Sequence, residues 1–157
     1  MSEHQGNING RCNCGHARFS IKARPLFRAY CHCLICQDFN QADFADVTVF
    51  LKKDVSVEDE STIRFRVHKQ PPLLKRGTCA KCAKPAVERL SIPLMPRMTI
   101  VPSANIHDPS LMVKPALHIF YHRRKADVHD ELPKYSGFLS SQMHFGIVAS
   151  KAMLHRS

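Results

Sequence analysis

Short stretches in which apolar and polar residues alternate predict a protein built mainly from β-strands. The alternation is clearest in segments 17–22 (ARFSIK) and 63–68 (IRFRVH). A period of two places every second side chain on the same face of a strand, so one face can be buried while the other meets water. Segments 47–51, 87–92 and 117–121 are also rich in strand-forming residues, and we expect each to form a strand.

Proline interrupts the chain often enough to limit its helix content. The sequence holds ten prolines, and several fall between residues 70 and 110, where they would break any long helix. We find no internal repeat and no linker in the 157 residues, a length that suits one domain. The sequence therefore predicts a single, mainly β domain of short strands and turns over residues 1–157.

The C-terminal residues differ in character from the rest of the chain. Segment 140–156 (SSQMHFGIVASKAMLHR) is compatible with one short helix that has Ser140 or Ser141 as its N-cap and basic residues near its end. Gly146 lies in the middle of the segment and lowers its helix propensity. We expect this extension, about residues 137–157, to pack on the sheet or on a second subunit, and the latter would make the protein a dimer.

Charge and composition narrow the range of partners. The formal charge is +10 at pH 7, but the Lys and Arg residues are spread along the whole chain. This distribution favours a solvated basic face over a nucleic-acid groove, so we do not expect a nucleic-acid partner. The first ten residues, MSEHQGNING, lack the apolar core of a signal peptide, and no run of about 20 apolar residues predicts a membrane span. We therefore expect a cytoplasmic protein, whose thiols stay reduced, and no membrane partner.

All seven cysteines fall into three tight groups. The groups are Cys12-x-Cys14, Cys31-x-Cys33-x-x-Cys36 and Cys79-x-x-Cys82. An odd number of cysteines argues against a closed set of disulfides. A C-x-x-C turn lets two sulfurs reach one tetrahedral zinc ion at ~2.3 Å, and both side chains of a C-x-C on a strand lie on the same face. The clustering therefore predicts metal binding.

Seven sulfurs divide into one complete and one incomplete zinc site. The two pairs, Cys12 with Cys14 and Cys79 with Cys82, supply the four ligands of a closed structural site. Such a site contributes on the order of 10 kcal/mol of apparent folding free energy. The remaining group, Cys31-x-Cys33-x-x-Cys36, offers three ligands to a second ion. Three protein ligands and an open position are typical of catalytic rather than structural zinc.

Histidines are the candidates for a fourth ligand at the second site. His32 lies between two of its cysteines, but it should point to the opposite side of an extended chain. We therefore interpret His32 as a surface histidine or as one that supports the ligands from behind. His16, His68, His118 and His122 are alternatives between which the sequence does not decide.

Four stretches, in their order and spacing, resemble the glutathione-dependent formaldehyde-activating family, which includes the centromere protein V domain. The stretches are GRCNCGHARFSI, CHCLIC, CAKC and PALHIFYHRRKADVHDELPKY, and the resemblance covers about residues 8–136. Any one of them alone would be a weak indication, whereas their combination is specific. The chain differs from the family pattern at Ala83, where glycine is usual, in the run from Gln37 to Ala42, and in having no tryptophan.

The resemblance implies a fold, two metal sites and an activity. The implied fold is the Mss4-like zinc fold, mainly β and made of several small antiparallel sheets held together by zinc. The implied structural zinc lies on the four paired cysteines, and a second, looser zinc lies on Cys31, Cys33 and Cys36, which would be the catalytic residues. The implied activity joins glutathione, as a co-substrate, to formaldehyde as S-(hydroxymethyl)glutathione. This is a carbon–sulfur lyase-type reaction on a small thiol and a small aldehyde, with no net redox change.

Two functions of different classes follow from these observations. The first is the zinc-dependent enzyme, and the alternative is a non-catalytic, zinc-stabilised binding module for a protein or nucleic-acid partner. An open fourth position beside a concave pocket favours the enzyme, whereas a fourth protein ligand favours the module. An anionic thiol would need Arg or Lys, and Arg11, Arg28 and Lys75, which lie near the cysteine groups in the sequence, are candidates between which the sequence does not decide. Asp127 and Asp130 lie in a polar turn, and we expect no catalytic role for them.

Overall fold

The structure, a computed structural model, describes residues 7–156. The strands are β1 (Gly10–Arg11), β2 (Arg18–Ile21), β3 (Phe27–Cys31), β4 (Ala45–Leu51), β5 (Val55–Val57), β6 (Ile63–Val67), β7 (Leu74–Cys79), β8 (Pro85–Leu90), β9 (Met98–Pro102) and β10 (Pro115–Ile119). The helices are α1 (Leu34–Asn40) and α2 (Phe138–Leu154). Residues 1–6 and Ser157 lie outside the described residues. The interpretation that the first ten residues are not a signal peptide therefore falls mostly on residues that the structure does not describe.

The mainly β fold that the alternation predicted is confirmed. Strands β2, β4, β6, β8 and β10 lie within or overlap the five segments for which strands were predicted. Helix α1 was not predicted, because seven residues are too few to show a helical period. Over residues 7–156, no helix combines the length and the apolar character needed to cross a membrane.

The strands form a three-stranded sheet, in the order β1-β2-β5, and a seven-stranded sheet, in the order β10-β3-β4-β9-β8-β7-β6. Neighbouring strands run antiparallel, except that β10 runs parallel to β3. The parallel pair places His118 beside Tyr30, one residue before the first cysteine of the CHCLIC stretch. In the antiparallel pair β7–β8, Arg76 lies directly opposite Glu88.

The seven-stranded sheet separates two hydrophobic clusters. Phe50 and Cys79 belong to the cluster between this sheet and the small one. Val49 and Cys36 belong to the cluster on the other face, which α2 covers. Val49 and Phe50 are neighbours on β4, so they point to opposite sides, as the pleat requires. The two cysteine groups consequently lie on opposite faces of the same sheet.

Helix α2 packs on the sheet, which was one of the two positions expected for the C-terminal extension. The ring of Phe145 meets the ring of Phe27 edge-on, with the centroids 5.1 Å apart. The helix begins after Gly137, whose φ of 89° favours glycine, so the prediction of Ser140 or Ser141 as N-cap is wrong. Ser141 lies inside the helix and is fully buried. Serine is a common N-cap residue, but the contacts of Ser141 come from tertiary packing and not from a helix end.

Candidate metal centres

The four paired cysteines meet at one point between the two sheets. The Sγ atoms of Cys12, Cys14, Cys79 and Cys82 all lie within 4.8 Å of one another. The Sγ of Cys14 is 3.6 Å from that of Cys12 and 3.7 Å from that of Cys79. Tetrahedral zinc with bonds of ~2.3 Å separates its sulfurs by about 3.8 Å. The donor set and its spacing therefore fit a zinc ion.

A tight turn after β7 forms one half of this group. The backbone N–H groups of Lys81 and Cys82 donate to the Sγ of Cys79 over 3.4 and 3.5 Å. The turn then passes through Ala83, whose φ of 62° lies in the left-handed region. A residue with a Cβ is disfavoured there, which explains why glycine is usual at this position in the family.

Strand β1 and the turn that follows it form the other half. The backbone N–H of Ala17 donates to the Sγ of Cys12 over 3.4 Å. Burial raises the pKa of Cys12, but this hydrogen bond and those with Cys79 and Cys14 outweigh it and bring the pKa to about 6. Cys12 is therefore suited to the thiolate form that a metal requires.

The second cysteine group is built by the junction of β3 and α1. Cys31 ends β3, and Cys33 is the N-cap of α1, with its Sγ accepting from the backbone N–H of Cys36 over 3.3 Å. The first turn of the helix carries Cys36 back until its Sγ lies 3.3 Å from that of Cys31. The three Sγ atoms lie within 4.8 Å of one another, and over residues 7–156 no His, Asp or Glu joins them.

The three thiols of this group hold their protons unequally. Hydrogen bonds from Cys31 and Cys36 lower the pKa of Cys33 far below its ordinary value. The pKa of Cys31 is raised by its hydrogen bond with Cys33, by its hydrogen bond with Cys36 and by burial. Cys33 is thus the most acidic of the three thiols because its two neighbours donate to it, and a metal ion would favour ionisation of the others.

Gln37 anchors this turn to a distant part of the chain. Its buried side chain donates from Nε2 to the carbonyl oxygens of His32 and Arg123, over 2.7 and 2.8 Å. Gln37 opens the run in which the sequence departs from the family pattern. The departure therefore has a structural role, because it ties α1 to the segment after β10.

Behind the three cysteines lies a chain of polar side chains that runs from two buried histidines, His32 and His118, to the exposed Asp130. His32 Nε2 is 2.8 Å from His118 Nδ1, and His118 Nε2 is 2.8 Å from Asp130 Oδ2. Hydrogen bonds from Lys134 and His118 lower the pKa of Asp130, so it accepts from His118 Nε2–H. His118 Nδ1 is then an acceptor, and His32 Nε2–H donates to it. This leaves His32 Nδ1 as a lone pair, and it is buried without a hydrogen-bond partner in the structure.

These contacts settle the roles that the sequence left open for His32, His118 and Asp130. His32 is 1% exposed, so the surface interpretation is wrong and the supporting one agrees with the geometry. Burial, and then the nearby His118, lower the pKa of His32 to about 4, which keeps it neutral. Asp130 was expected to be an ordinary turn residue, yet it ends the chain of hydrogen bonds. Asp130 contacts His118, 12 residues before it in the chain, and His118 in turn contacts His32, 86 residues before His118.

The other three histidines considered as ligands lie outside both cysteine groups. His16 is exposed, and His68 meets the ring of Phe39 edge-on with the centroids 5.9 Å apart. His122 Nδ1 accepts from the backbone N–H of Gly137 over 2.7 Å.

The cation that reaches the three-cysteine group is Arg76, which the sequence analysis did not single out. Its Nη1 lies 3.6 Å from the Sγ of Cys36 and 2.7 Å from Oε1 of Glu88. Lys75, its neighbour on β7, is exposed because successive side chains of a strand point to opposite faces. Arg28 instead forms an ion pair of 2.6 Å with Asp46.

Comparison with known proteins supplies the family. The model of the family described as glutathione-dependent formaldehyde-activating enzyme matches residues 7–123. A crystal structure of a Rhodobacter sphaeroides protein, a structural genomics target, aligns with a TM-score of 0.53 and 16% identity over 69% of this chain and 97% of that one, a likeness that shows the fold alone. A search of curated proteins found no match. Because the family match spans most of the chain and the cysteine groups fit an Mss4-like zinc fold, this protein belongs to the glutathione-dependent formaldehyde-activating enzyme family.

Proposed function

We propose that the protein is a zinc-dependent enzyme that adds a thiol, glutathione or a similar one, to a small aldehyde such as formaldehyde. The observation that carries the proposal is the three-cysteine group, which no other ligand from residues 7–156 completes. Tetrahedral zinc on three protein ligands keeps one position for a group from outside the chain. The family description provides the class of substrate.

The chemistry needs a thiolate and a nearby aldehyde. Cys31, Cys33 and Cys36 would hold the ion, and bound zinc lowers the pKa of a thiol that meets it. In the reaction, the thiol gives up its proton and its sulfur forms a bond to the aldehyde carbon. The electron pair of the C=O π bond moves to oxygen, which takes up a proton. The product is a hemithioacetal, and neither carbon nor sulfur needs an external oxidant or reductant.

A cleft lies along α1, the helix that carries Cys36, but it does not reach the three sulfurs. Its volume is about 410 Å³, and Leu34, Asp38 and Lys125 are part of its lining, in which none of the residues is a cysteine. In the proposed reaction the thiol and the aldehyde would meet at the ion, and holding two reactants together accelerates an addition of this kind. The chain would therefore contribute ligands, position and charge rather than a separate nucleophile.

The four-cysteine group has a different role in this proposal. Cys12 and Cys14 follow β1, which belongs to the small sheet, whereas Cys79 ends β7 of the large sheet. An ion bound by all four sulfurs would link the two sheets and have no position for a substrate. We therefore assign it a structural role.

The experiment that tests the proposed function measures metal content and turnover together. We expect two zinc ions per chain, and X-ray absorption should show sulfur as the main ligand at both. With ¹³C-formaldehyde and glutathione, exchange between free and thiol-bound aldehyde, followed by NMR, should be faster with the protein than without it. The Cys33→Ser variant, in which serine can still cap α1, should lose this acceleration. If the wild type neither accelerates exchange nor binds millimolar thiol, the enzyme proposal is wrong and the binding module stands.

A further inference from the structure

The ion pair between Arg76 and Glu88 is buried beside the three-cysteine group. Arg76 is 6% exposed and Glu88 is 3% exposed, and their charged atoms lie 2.7 Å apart. Removing both charges from water costs several kcal/mol per ion, and an apolar pair of similar volume is often as stable. The pair is therefore poorly explained by stability alone, and its other contacts need to be considered.

Those contacts point the guanidinium at the sulfurs. The Nη1 atom that donates to Glu88 also lies 3.6 Å from the Sγ of Cys36. The ring of Phe39, from the same helix as Cys36, covers the guanidinium, with its centroid 5.5 Å from Cζ. Strands β4, β9 and β8 separate β7 from β3, so the contact between Arg76 and Cys36 depends on the tertiary arrangement of the sheet and of α1. Glu88, Cys36 and Phe39 together hold the cation in one orientation.

The charge of the site explains why a fixed cation is useful there. Three thiolates on one Zn²⁺ carry a net charge of about −1, and a thiolate as the fourth ligand makes it about −2. Cys31 and Cys36 are both 7% exposed, so little water screens the charge of these two sulfurs, whereas Cys33 is half-buried. A neutral fourth ligand leaves the charge at about −1, so a nearby cation stabilises the thiolate-bound site more than the site with a neutral ligand. Arginine keeps its charge even when buried, whereas lysine readily loses it.

The carboxylate of Glu88 does not cancel this effect. Burial raises the pKa of Glu88 to about 7, although Arg76 acts against the shift. Near neutral pH the acid therefore carries part of a charge, while Arg76 carries all of its own. Glu88 acts mainly as a hydrogen-bond acceptor that orients the guanidinium.

We propose that Arg76 is a positioning residue that makes the three-cysteine site select a thiolate, rather than water or another neutral group, as the fourth ligand of its ion. This inference rests on the proposed function and says which charge state of the substrate the site holds. Arg76 acts through its charge on the sulfur ligands of the ion and not through a contact with another part of the substrate. The preference should therefore extend to any small thiol and not depend on the carboxylates of glutathione.

Cobalt substitution gives a readout that does not require turnover. Co²⁺ replaces zinc in thiolate sites, and its visible spectrum reports the number of sulfur ligands. Glutathione and the uncharged thiol 2-mercaptoethanol would each be titrated into the Co²⁺ protein. Only the change that the Cys33→Ser variant abolishes would be assigned to the three-cysteine site. The Co²⁺ spectrum of the four-cysteine site serves as the check that each variant is folded.

Three variants separate charge from packing. Arg76→Gln with Glu88→Gln replaces the ion pair by an amide pair, and we expect it to weaken binding of both thiols by about tenfold or more. Arg76→Lys should restore part of the affinity, because a cation returns without the fixed fork of arginine. Glu88→Gln alone keeps an oxygen that accepts from Arg76 and removes only the competing negative charge, so this variant should bind both thiols at least as tightly as the wild type. Arg89→Gln is the matched control, because it breaks a more exposed ion pair, that between Arg89 and Glu60.

The outcomes distinguish this inference from the proposed function. If the wild type shows no thiol-dependent change that Cys33→Ser abolishes, the proposed function fails. If the wild type binds thiols and the double variant binds them equally well, Arg76 does not select the ligand. Weaker binding of glutathione alone would also overturn the inference, because the cation would then recognise a carboxylate. If the double variant does not fold, Glu88→Gln decides the matter, since a tenfold loss in that variant contradicts the inference.

Discussion

His32 and His118 share a hydrogen bond of 2.8 Å in the interior of the protein, although 86 residues separate them in the chain. Their rings lie edge to edge, with the centroids 5.1 Å apart and the planes inclined by 27°. His118 passes the connection on to Asp130, which also binds Lys134. The turn that carries the three cysteines is thus braced by the last strand and by the segment that follows it. Bracing of this kind keeps metal ligands in place.

Replacing His118 should therefore destabilise the protein. His118→Phe conserves an aromatic ring but removes both hydrogen bonds, so His32 keeps two buried nitrogens without partners. We expect the free energy of unfolding to fall by about 2 to 4 kcal/mol. Urea denaturation followed by circular dichroism would measure it. His129→Ala, at an exposed histidine of the same region, is the control and should change little. A loss for His118→Phe no larger than that of the control would show that the chain does not brace the turn.

The two cysteine groups should differ in what they do for stability. Cys79→Ser removes a buried ligand from the group that links the sheets, so most of the metal-derived folding energy, on the order of 10 kcal/mol, should be lost. We expect the variant to be largely unfolded. Cys33→Ser should fold and retain one of the two zinc ions. Its free energy of unfolding should fall by no more than about 1 kcal/mol, which lowers the melting temperature by only a few degrees. Thermal melts and metal analysis of both variants provide the measurement. Equal effects in the two would contradict the division into a structural and a functional site.

Glu88 should give the protein a pH dependence of unusual sign. Burial raises its folded-state pKa to about 7, so from about 4.5 to 7 the folded chain holds a proton that the unfolded chain has released. Raising the pH through this window therefore lowers the free energy of unfolding, by at most about 1.4 kcal/mol per pH unit. Measured against Glu88→Gln, the wild type should lose stability from pH 6 to 7 and then level off. Infrared spectra should show a protonated carboxyl at pH 6 that the variant lacks. A constant difference between the two proteins over this range would mean that Glu88 is ionised throughout.

Two glycines should respond in opposite ways to the same substitution. A Cβ on Gly77, in β7 beside Arg76, would lie 2.7 Å from the backbone oxygen of Val87 and 2.6 Å from Cγ2 of Ile63. Gly77→Ala should therefore destabilise the protein by about 1 to 3 kcal/mol, because the neighbouring strand has to move. Gly146, in α2, has open space around the same position, so Gly146→Ala should stabilise the helix by up to about 1 kcal/mol. Melting temperatures of the two variants would test both signs. A stabilised Gly77→Ala would show that β7 and β8 are not packed as described.

Much of the metal chemistry is visible in the order of the residues. C-x-C and C-x-x-C spacings are local, and a strand or a tight turn converts them directly into neighbouring sulfurs. The strands follow from the same kind of information, since a period of two places a residue on a face whatever the rest of the chain does. The short helix α1 was not predicted because about two turns carry no period that can be recognised.

The groups around the sulfurs were decided by the tertiary structure. Arg76 contacts Cys36 although three strands lie between β7 and β3, and no spacing along the chain encodes that contact. The nearer basic residues in the sequence, Arg28 and Lys75, pair with Asp46 or face solvent instead. Asp130 lies in a stretch with the composition of a surface turn. Only its contact with His118 makes it the last member of the hydrogen-bonded chain.

The sequence by itself determined the mainly β class, the family and the division of seven sulfurs into four and three, because each depends on residue type at short, regular spacing. The tertiary structure alone decided that the two groups lie on opposite faces of one sheet. It also decided that the group of three meets a buried arginine on one side and a chain of histidines on the other. These contacts join residues 40 to 86 positions apart. Their geometry depends on the packing of the whole chain, which local patterns do not specify.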